Sequence, residues 1–355
     1  MRDIIGETKN NLSMALHLAL GLCVYLLFTQ GAQGNIDDFD CVEIYKQPAF
    51  KHPLLKNHKI QETFSLDGNI ERSNKYKTKE HCPKGTVPIL RQGNESQSVH
   101  LNTAEYSGQH FATIETTLDG SIYRGTEAEI SVHDLKLQNN QYSKSQIWLE
   151  NGPRAQLNSI QAGWAVHPRL YGDSVTRFTI YWTGDGYQKT GCYNMQCPGF
   201  VVVSRNPTLG KGFGGSSAYG QTSLTFKLQI FQDGFSGNWG LKMSNEIIGY
   251  WPKELFQHLS NGASLIRYGG NTYLSPDGFS PPMGNGHFPV PDFKKTAHFK
   301  NIGIINSDYK ADYIDDRKVR LYADSNSCFR VSYWGYTKFT GKAFSFGGPG
   351  GKCGI

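Results

Sequence analysis

The sharpest pattern along the chain is Leu224-Thr225-Phe226-Lys227-Leu228-Gln229-Ile230. Apolar and polar residues alternate strictly there, which predicts a strand with one face on a core and the other in water. Val175 to Trp182 reads the same way, with Phe178, Ile180 and Trp182 on one face. Further strand-like runs are Ile122 to Val132, Phe200 to Ser204, Gly240 to Ile248, Val319 to Ala323, Phe329 to Tyr333 and Ala343 to Phe346, separated by Gly, Asn, Asp and Pro turns. Strands at this density from about His110 onward, with almost no helical periodicity between them, predict an all-β domain built as a sandwich or barrel. One helix is predicted, with Pro252 at its first position, Lys253 to Leu259 as its body and Asn261-Gly262 as its stop. No internal repeat is present.

Before His110 the pattern changes. Residues 35–92 are rich in Lys, His and Pro, are weakly periodic, and close on Cys82-Pro83-Lys84-Gly85-Thr86-Val87-Pro88-Ile89. The polar stretch that follows, 93–109, has no apolar repeat and reads as an exposed linker, the kind of segment a protease cuts. The expected layout is therefore a small unit over 35–92, a linker over 93–109 and one large domain over 110–355. Ahead of them, Met14 to Phe28 is an apolar run of signal-peptide length, short for a membrane span. Arg2 and Lys9 precede it and Ala32-Gln33-Gly34 follows it, which predicts a signal peptide over 1–34 and a secreted protein starting at Asn35. The long stretch before Met14 keeps an uncleaved anchor open as the alternative.

Composition sharpens this picture. The chain has 355 residues, 13% aromatic and only 19% charged, with 40 Gly, which excludes a disordered tail and a coiled coil. Its net charge of +6 is spread over scattered Lys and Arg, so no nucleic-acid partner is expected. Of the seven cysteines, Cys23 lies in the signal core, leaving Cys41, Cys82, Cys192, Cys197, Cys328 and Cys353. An even number on an oxidising route predicts three disulfides, and although about 15 connectivities exist for six cysteines, their distribution favours 41–82, 192–197 and 328–353. No Cys-x-x-Cys pair is present and histidines do not flank the cysteines at ligand spacing, so no metal or other cofactor is expected. Asn94-Glu95-Ser96 is an N-glycosylation sequon, meaningful in a secreted chain.

Several catalytic signatures are missing: no His-Glu-x-x-His, no Gly-x-Ser-x-Gly and no Asp-Thr/Ser-Gly. Gly210-Lys211-Gly212-Phe213-Gly214-Gly215 lacks the ending of a phosphate loop and reads as a hairpin loop; Gly347 to Gly351 reads as a disulfide-pinned tail. Asp315-Asp316 beside Arg317 and Lys318 reads as a surface ion cluster.

One ordered set of motifs is more informative: Arg169-Leu170-Tyr171-Gly172-Asp173, Tyr181-Trp182-Thr183-Gly184-Asp185-Gly186-Tyr187-Gln188-Lys189-Thr190-Gly191-Cys192-Tyr193-Asn194, Gly249-Tyr250-Trp251-Pro252 and Met283-Gly284-Asn285-Gly286-His287-Phe288-Pro289. With Cys41 to Phe50 and Cys82 to Ile89, these resemble the neprosin family of secreted plant peptidases. The resemblance covers nearly the whole mature chain. It implies an activation peptide ahead of an antiparallel β-sandwich, acting as a glutamic endopeptidase that in its best-known members cuts after proline in acid. It also implies two glutamates, one in Ile-Glu-Ala-Gly-Trp and one ending Trp/Tyr-Gly-Gly-Glu.

Here those segments read Ile160-Gln161-Ala162-Gly163-Trp164 and Tyr268-Gly269-Gly270-Asn271, so both expected carboxylates are amides. Gln161 can still donate a hydrogen bond to a carbonyl oxygen, the role a glutamine takes in the related fungal glutamic peptidases. Asn271 cannot take a proton, and loss of general acid/base catalysis costs about 10²–10⁴-fold. The expectation is a folded domain with little or no peptidase activity unless Glu150, Glu246, Glu254 or Asp277 reaches the groove. Trp164, Tyr268 and Trp182 are candidate groove residues for an extended, proline-containing peptide; the same aromatics, if exposed in a row, would suit a cell-wall carbohydrate module. Peptide and the chain's own propeptide are the expected partners, with the protein a monomer.

Overall fold

The protein is described by a computed structural model over residues 38–66, 69–72, 80–91, 108–273 and 277–354. The predicted signal segment, Cys23, Asn94 and nearly all of the predicted linker lie outside the described residues. Within them the fold is two stacked antiparallel sheets.

One sheet has seven strands: β1 (Gln109–Thr116), β2 (Tyr142–Asn151), β3 (Asn158–Val166), β4 (Arg177–Thr183), β5 (Cys192–Tyr193), β6 (Leu265–Tyr273) and β7 (Val319–Ala323). Their order in space is β5-β4-β3-β2-β6-β1-β7. The facing sheet runs Val201–Val202, Glu246–Trp251, Trp239–Met243, Thr225–Gln232, Gly125–Ser131, Ala297–Ile305, Gly341–Gly347 and Arg330–Thr337, with Ala311–Asp312 beside Ala297–Ile305. Ile147, Leu149, Ile160, Ala162, Trp164, Ile266 and Tyr268 point from the first sheet into the core and meet Leu228, Ile230, Phe299 and Phe344 from the second. Burial of this apolar surface, at roughly 25 cal/mol per Å², is the main force holding the layers together.

Phe226, Leu228 and Ile230 are buried and Lys227 is exposed, as their alternation predicts. The outer face of that strand is not wholly in water, because Phe64 of the first unit packs edge-on against Phe231. All seven residues of β4 are buried, so neither of its faces is solvated. The predicted strand over Gly240 to Ile248 is a hairpin of two, turning at Ser244, whose φ is 53°. The predicted helix at Lys253 to Leu259 is instead two short 3₁₀ turns, Lys253–Leu255 and Leu259–Asn261. Tertiary contacts override the local signal there. Phe256 is extended and packs edge-on against Trp182, while Asn158 Oδ1 accepts from the backbone N–H groups of His258 and Leu259. The Gly210 loop is not a hairpin loop: it joins Val201–Val202 to Thr225–Gln232, which are not neighbours in the sheet, and Gly212 bridges Arg177.

All three predicted disulfides are present, Cys41–Cys82, Cys192–Cys197 and Cys328–Cys353. Asp315 and Asp316 pair with Arg317 and Lys342 in the predicted surface cluster. The first unit consists of two short strand pairs and three 3₁₀ turns docked on the outer face of the second sheet. Gln47 both donates to the carbonyl of Val202 and accepts from its N–H, completing the backbone pairing of that edge strand. Ala49, Leu55, Phe64 and Val87 join the core, and Tyr250 bonds His58 and the backbone N–H of Gln61 through its hydroxyl.

Candidate active site

The face of β2, β3 and β6 turned away from the core is fixed by register. Gln161 on β3 lies opposite Trp148 on β2, which lies opposite Arg267 on β6; Asn271 on β6 lies opposite Lys144 on β2. Because side chains alternate across a strand, Lys144, Gln146, Trp148, Glu150, Gln161, Arg267 and Asn271 share one face. Gln146 sits midway between Gln161 and Asn271, flanked across the ladder by Gly163 and Gly269. Neither glycine tolerates a side chain: a Cβ at 163 would lie 2.0 Å from Ser145 O, and one at 269 would lie 2.2 Å from Ala112 O at a φ of +143°. On the same face opens a cavity of about 840 Å³ lined by Gln161, Asn271, Lys144, Trp148, Glu150, Arg267 and Tyr187, among others.

The two positions flagged by sequence thus line one cavity, though they do not touch. Gln161 accepts from Gln146 Nε2 at 2.8 Å and donates through Nε2 to Tyr187 OH at 2.7 Å and Ser159 Oγ at 3.3 Å. Tyr187 adopts φ 64°, rare for a large side chain, and burial followed by the charge of Glu150 pushes its phenol above the usual range, so it stays protonated. Asn271 donates from Nδ2 to Gln109 Oε1 at 3.2 Å; it is only 3% exposed, and its Oδ1 has no hydrogen-bond partner among the described residues. Beside it Lys144 is 2% exposed and donates to Tyr193 OH at 2.5 Å. The Lys144 ammonium sits over the rings of Tyr142 at 4.4 Å, Tyr193 at 4.6 Å and Tyr181 at 5.7 Å.

Of the four alternative acids, Glu150 is in the cavity and the other three are not. Burial pushes the Glu150 carboxyl up, while Arg267, 3.2 Å away, and Ser159 pull it down. Arg267 also approaches Glu115, which accepts from Arg320 at 2.6 Å, so Glu150 ends a chain of alternating charges. Glu246 is bound by Ser204 and Asn206, Glu254 sits in the 3₁₀ turn Lys253–Leu255, and Asp277 is exposed and caps Phe279 N.

The three aromatics expected in the groove are on the other side of the sheet. Trp164 and Tyr268 each lie three residues from the flagged amide on the same strand, an odd offset that turns them into the core, and Trp182 lies opposite the core residue Ile160. Trp164 Nε1 donates to Ser131 O, and Tyr268 OH bonds Thr126. They therefore form no exposed row for a carbohydrate. The aromatic groups that do line the cavity, Trp148, Tyr142, Tyr187 and Phe111, were not singled out from the sequence. The one cluster of metal-type donors among the described residues, Cys41, His81 and Cys82, contains the Cys41–Cys82 disulfide and so offers no thiolate.

Residues 139–349 match the family model described as neprosin, and residues 30–117 match that of the neprosin activation peptide. Two solved structures of scytalido-glutamic peptidase, one with a peptide-based transition state analog and one with a transition state analog inhibitor, align at 9% and 10% identity with TM-scores of 0.36 and 0.38. A third, SCP-B of the eqolisin family in complex with the tripeptide Ala-Ile-His, aligns at 9% identity and TM-score 0.35. Each alignment covers 68% of this chain and 98% of the other, and at these scores the likeness is remote. The neprosin match spans more than half of the sequence and takes in β2, β3 and β6 with both flagged positions, so the chain belongs to the neprosin family.

Proposed function

We propose that this is a secreted neprosin-family protein whose cavity binds extended, proline-containing peptides while peptide-bond hydrolysis is impaired or lost. The observation that carries the reading is that Gln161 and Asn271 line one cavity and are both amides. Hydrolysis by a carboxyl pair needs one group to take a proton from water and a partner to polarise the carbonyl or protonate the leaving amine. Gln161 retains a donor for the carbonyl oxygen, but Asn271 accepts no proton at working pH. Secretion to the apoplast or cell wall is supported by the three disulfides and by the apolar run at Met14 to Phe28.

A second reading is favoured by one specific observation: Glu150 lines the same cavity, two residues along β2 from the cross-strand partner of Gln161. In that reading Glu150 is the surviving base of an active peptidase. Its ion pair with Arg267 opposes this by favouring the charged carboxylate, but burial outweighs that pull and leaves the Glu150 carboxyl above its ordinary range.

The test is to incubate the mature protein with a proline-rich substrate from about pH 2 to about pH 8, where carboxyl-based general acid/base catalysis titrates. It is compared with Asn271→Glu, Gln161→Glu with Asn271→Glu, and Glu150→Gln. No cleavage by the unmodified protein and a gain of about 10²-fold or more in a restored variant is the expected result. Cleavage by the unmodified protein at the restored rate overturns the impaired-site reading. Its loss in Glu150→Gln then assigns the activity to Glu150.

A further inference from the structure

One row across the site face reads Gln161, Trp148, Arg267, Glu115 and Arg320, each directly opposite the next. Arg267 is the member whose bonding is incomplete. Its Nε, 3.2 Å from Glu150 Oε2, makes no hydrogen bond among the described residues, and its Nη1 stands 3.5 Å from Glu115 Oε1, beyond the distance of about 2.7–3.2 Å that an N–H···O bond takes. The two carboxylates are met elsewhere. Glu115 accepts from Arg320 at 2.6 Å and from Thr113 Oγ1 at 3.2 Å, while Ser159 bonds Glu150 from directly across the ladder.

Charge at this spot is matched, with Arg267 and Arg320 against Glu115 and Glu150. Hydrogen-bonding capacity is not. The Arg267 side chain is 29% exposed and lines the cavity, where its planar fork presents N–H donors. A site with donors to spare and no charge to spare suits a neutral acceptor, because an anion placed there would meet Glu150 and Glu115 as well. The backbone carbonyl of an extended peptide is such an acceptor. Gln161 and Arg267 are two strands apart, about 10 Å at the usual strand spacing, a distance that an extended chain covers in about three residues.

We propose that Arg267 grips a backbone carbonyl of the bound peptide, about three residues along from the one that lies over Gln161. The proposal rests on the peptide-binding reading above and adds a second anchor point to it. Arg267 holds the peptide there by a directed hydrogen bond and selects against an acidic side chain at that place.

The test uses a proline-containing hexapeptide, acetylated and amidated so that it carries no charge. A set of analogues replaces each amide in turn by a thioamide, whose sulfur is a weaker acceptor, and one further version carries a Glu. Affinity is measured by titration calorimetry at neutral pH. One thioamide position should weaken binding about 5-fold, within the worth of a hydrogen bond to a charged group. That sensitivity should vanish in Arg267→Lys, which keeps a cation beside Glu150 and Glu115 but loses the fork, while any sensitivity at the residue over Gln161 stays. Circular dichroism and melting verify folding. Should the lysine variant fail to fold, Arg267→Gln with Glu150→Gln removes the pair together and leaves Glu115 with Arg320, giving the same comparison. A flat scan, or one in which no sensitive position is lost with Arg267, overturns the anchor and leaves peptide binding standing. Tighter binding of the Glu version, with the gain lost in the Arg267 variant, overturns the neutral-acceptor assignment. Absence of binding by every form overturns both readings.

Discussion

Acid should unfold this protein through its buried histidines, and His298 allows the effect to be worked out. It is buried in the second sheet, bonds Thr296 O through Nδ1 and packs edge-on against Phe293. Burial is the largest cause of a pKa lowered from 6.5 to about 4, with Lys300 adding to the shift and Glu129 opposing it. The unfolded chain therefore binds a proton on this ring before the folded chain does. The stability it contributes is complete above about pH 6.5 and is lost as pH falls through the window down to about 4. At about 1.4 kcal/mol per unit, the loss between pH 7 and pH 4 is about 3 kcal/mol from this one group. His133, lowered to about 3 by burial first and His298 second, extends the loss to lower pH. The assay is urea unfolding followed by tryptophan fluorescence at both pH values, for the unmodified protein and for His298→Asn, which keeps a donor near Nδ1 and removes the titrating ring. Asparagine should lower stability at pH 7, yet shrink the drop between pH 7 and pH 4 by about 3 kcal/mol. An equal drop in both proteins refutes the reasoning.

Three further outcomes are expected. Gly163→Ala should destabilise by about 3 kcal/mol, read as a lowered melting temperature, because its Cβ would run into the backbone of β2. Gln47→Ala removes both bonds to Val202 and should cost about 1–3 kcal/mol in denaturant unfolding, unless the first unit contributes nothing to the edge. In Asn271→Glu the new carboxylate faces Lys144 across the ladder, which should lower its pKa by about 1–3 units. Any cleavage the variant gains should then shift its pH profile upward when Lys144→Met is added.

The fold class was legible because part of the second sheet has one apolar and one wet face, as where buried Phe226 and Leu228 flank exposed Lys227. The strands that build the site were not all legible. β2, β3 and β6 bury both faces, so Lys144, Gln146 and Gln161 interrupt the apolar alternation with polar residues that are themselves inside. The alternation was still there to be read as Tyr142, Lys144, Gln146, Trp148 and Glu150, large and polar at every second position. Gln161 and Asn271 were found only through the family pattern. The groove aromatics were misplaced because nearness in sequence to a site residue says nothing about the face, and an odd offset on a strand reverses it. The helix was misread because its start and stop signals are real but weaker than the pull of Asn158 and the packing of Phe256.

The first unit keeps its own disulfide, Cys41–Cys82, and the other two bridges close within the sandwich. Among the described cysteines none ties one part to the other, so a single cut in the segment before β1 would leave two chains joined by packing, hydrogen bonds and the Glu80–Arg205 ion pair, with no covalent link. From that moment the protein would behave as a heterodimer. Its integrity would depend on dilution, as for any complex governed by mass action. His52 and His58, both lowered below 6.5 by burial in or beside that contact, would make the dissociation constant rise as the surroundings turn acid.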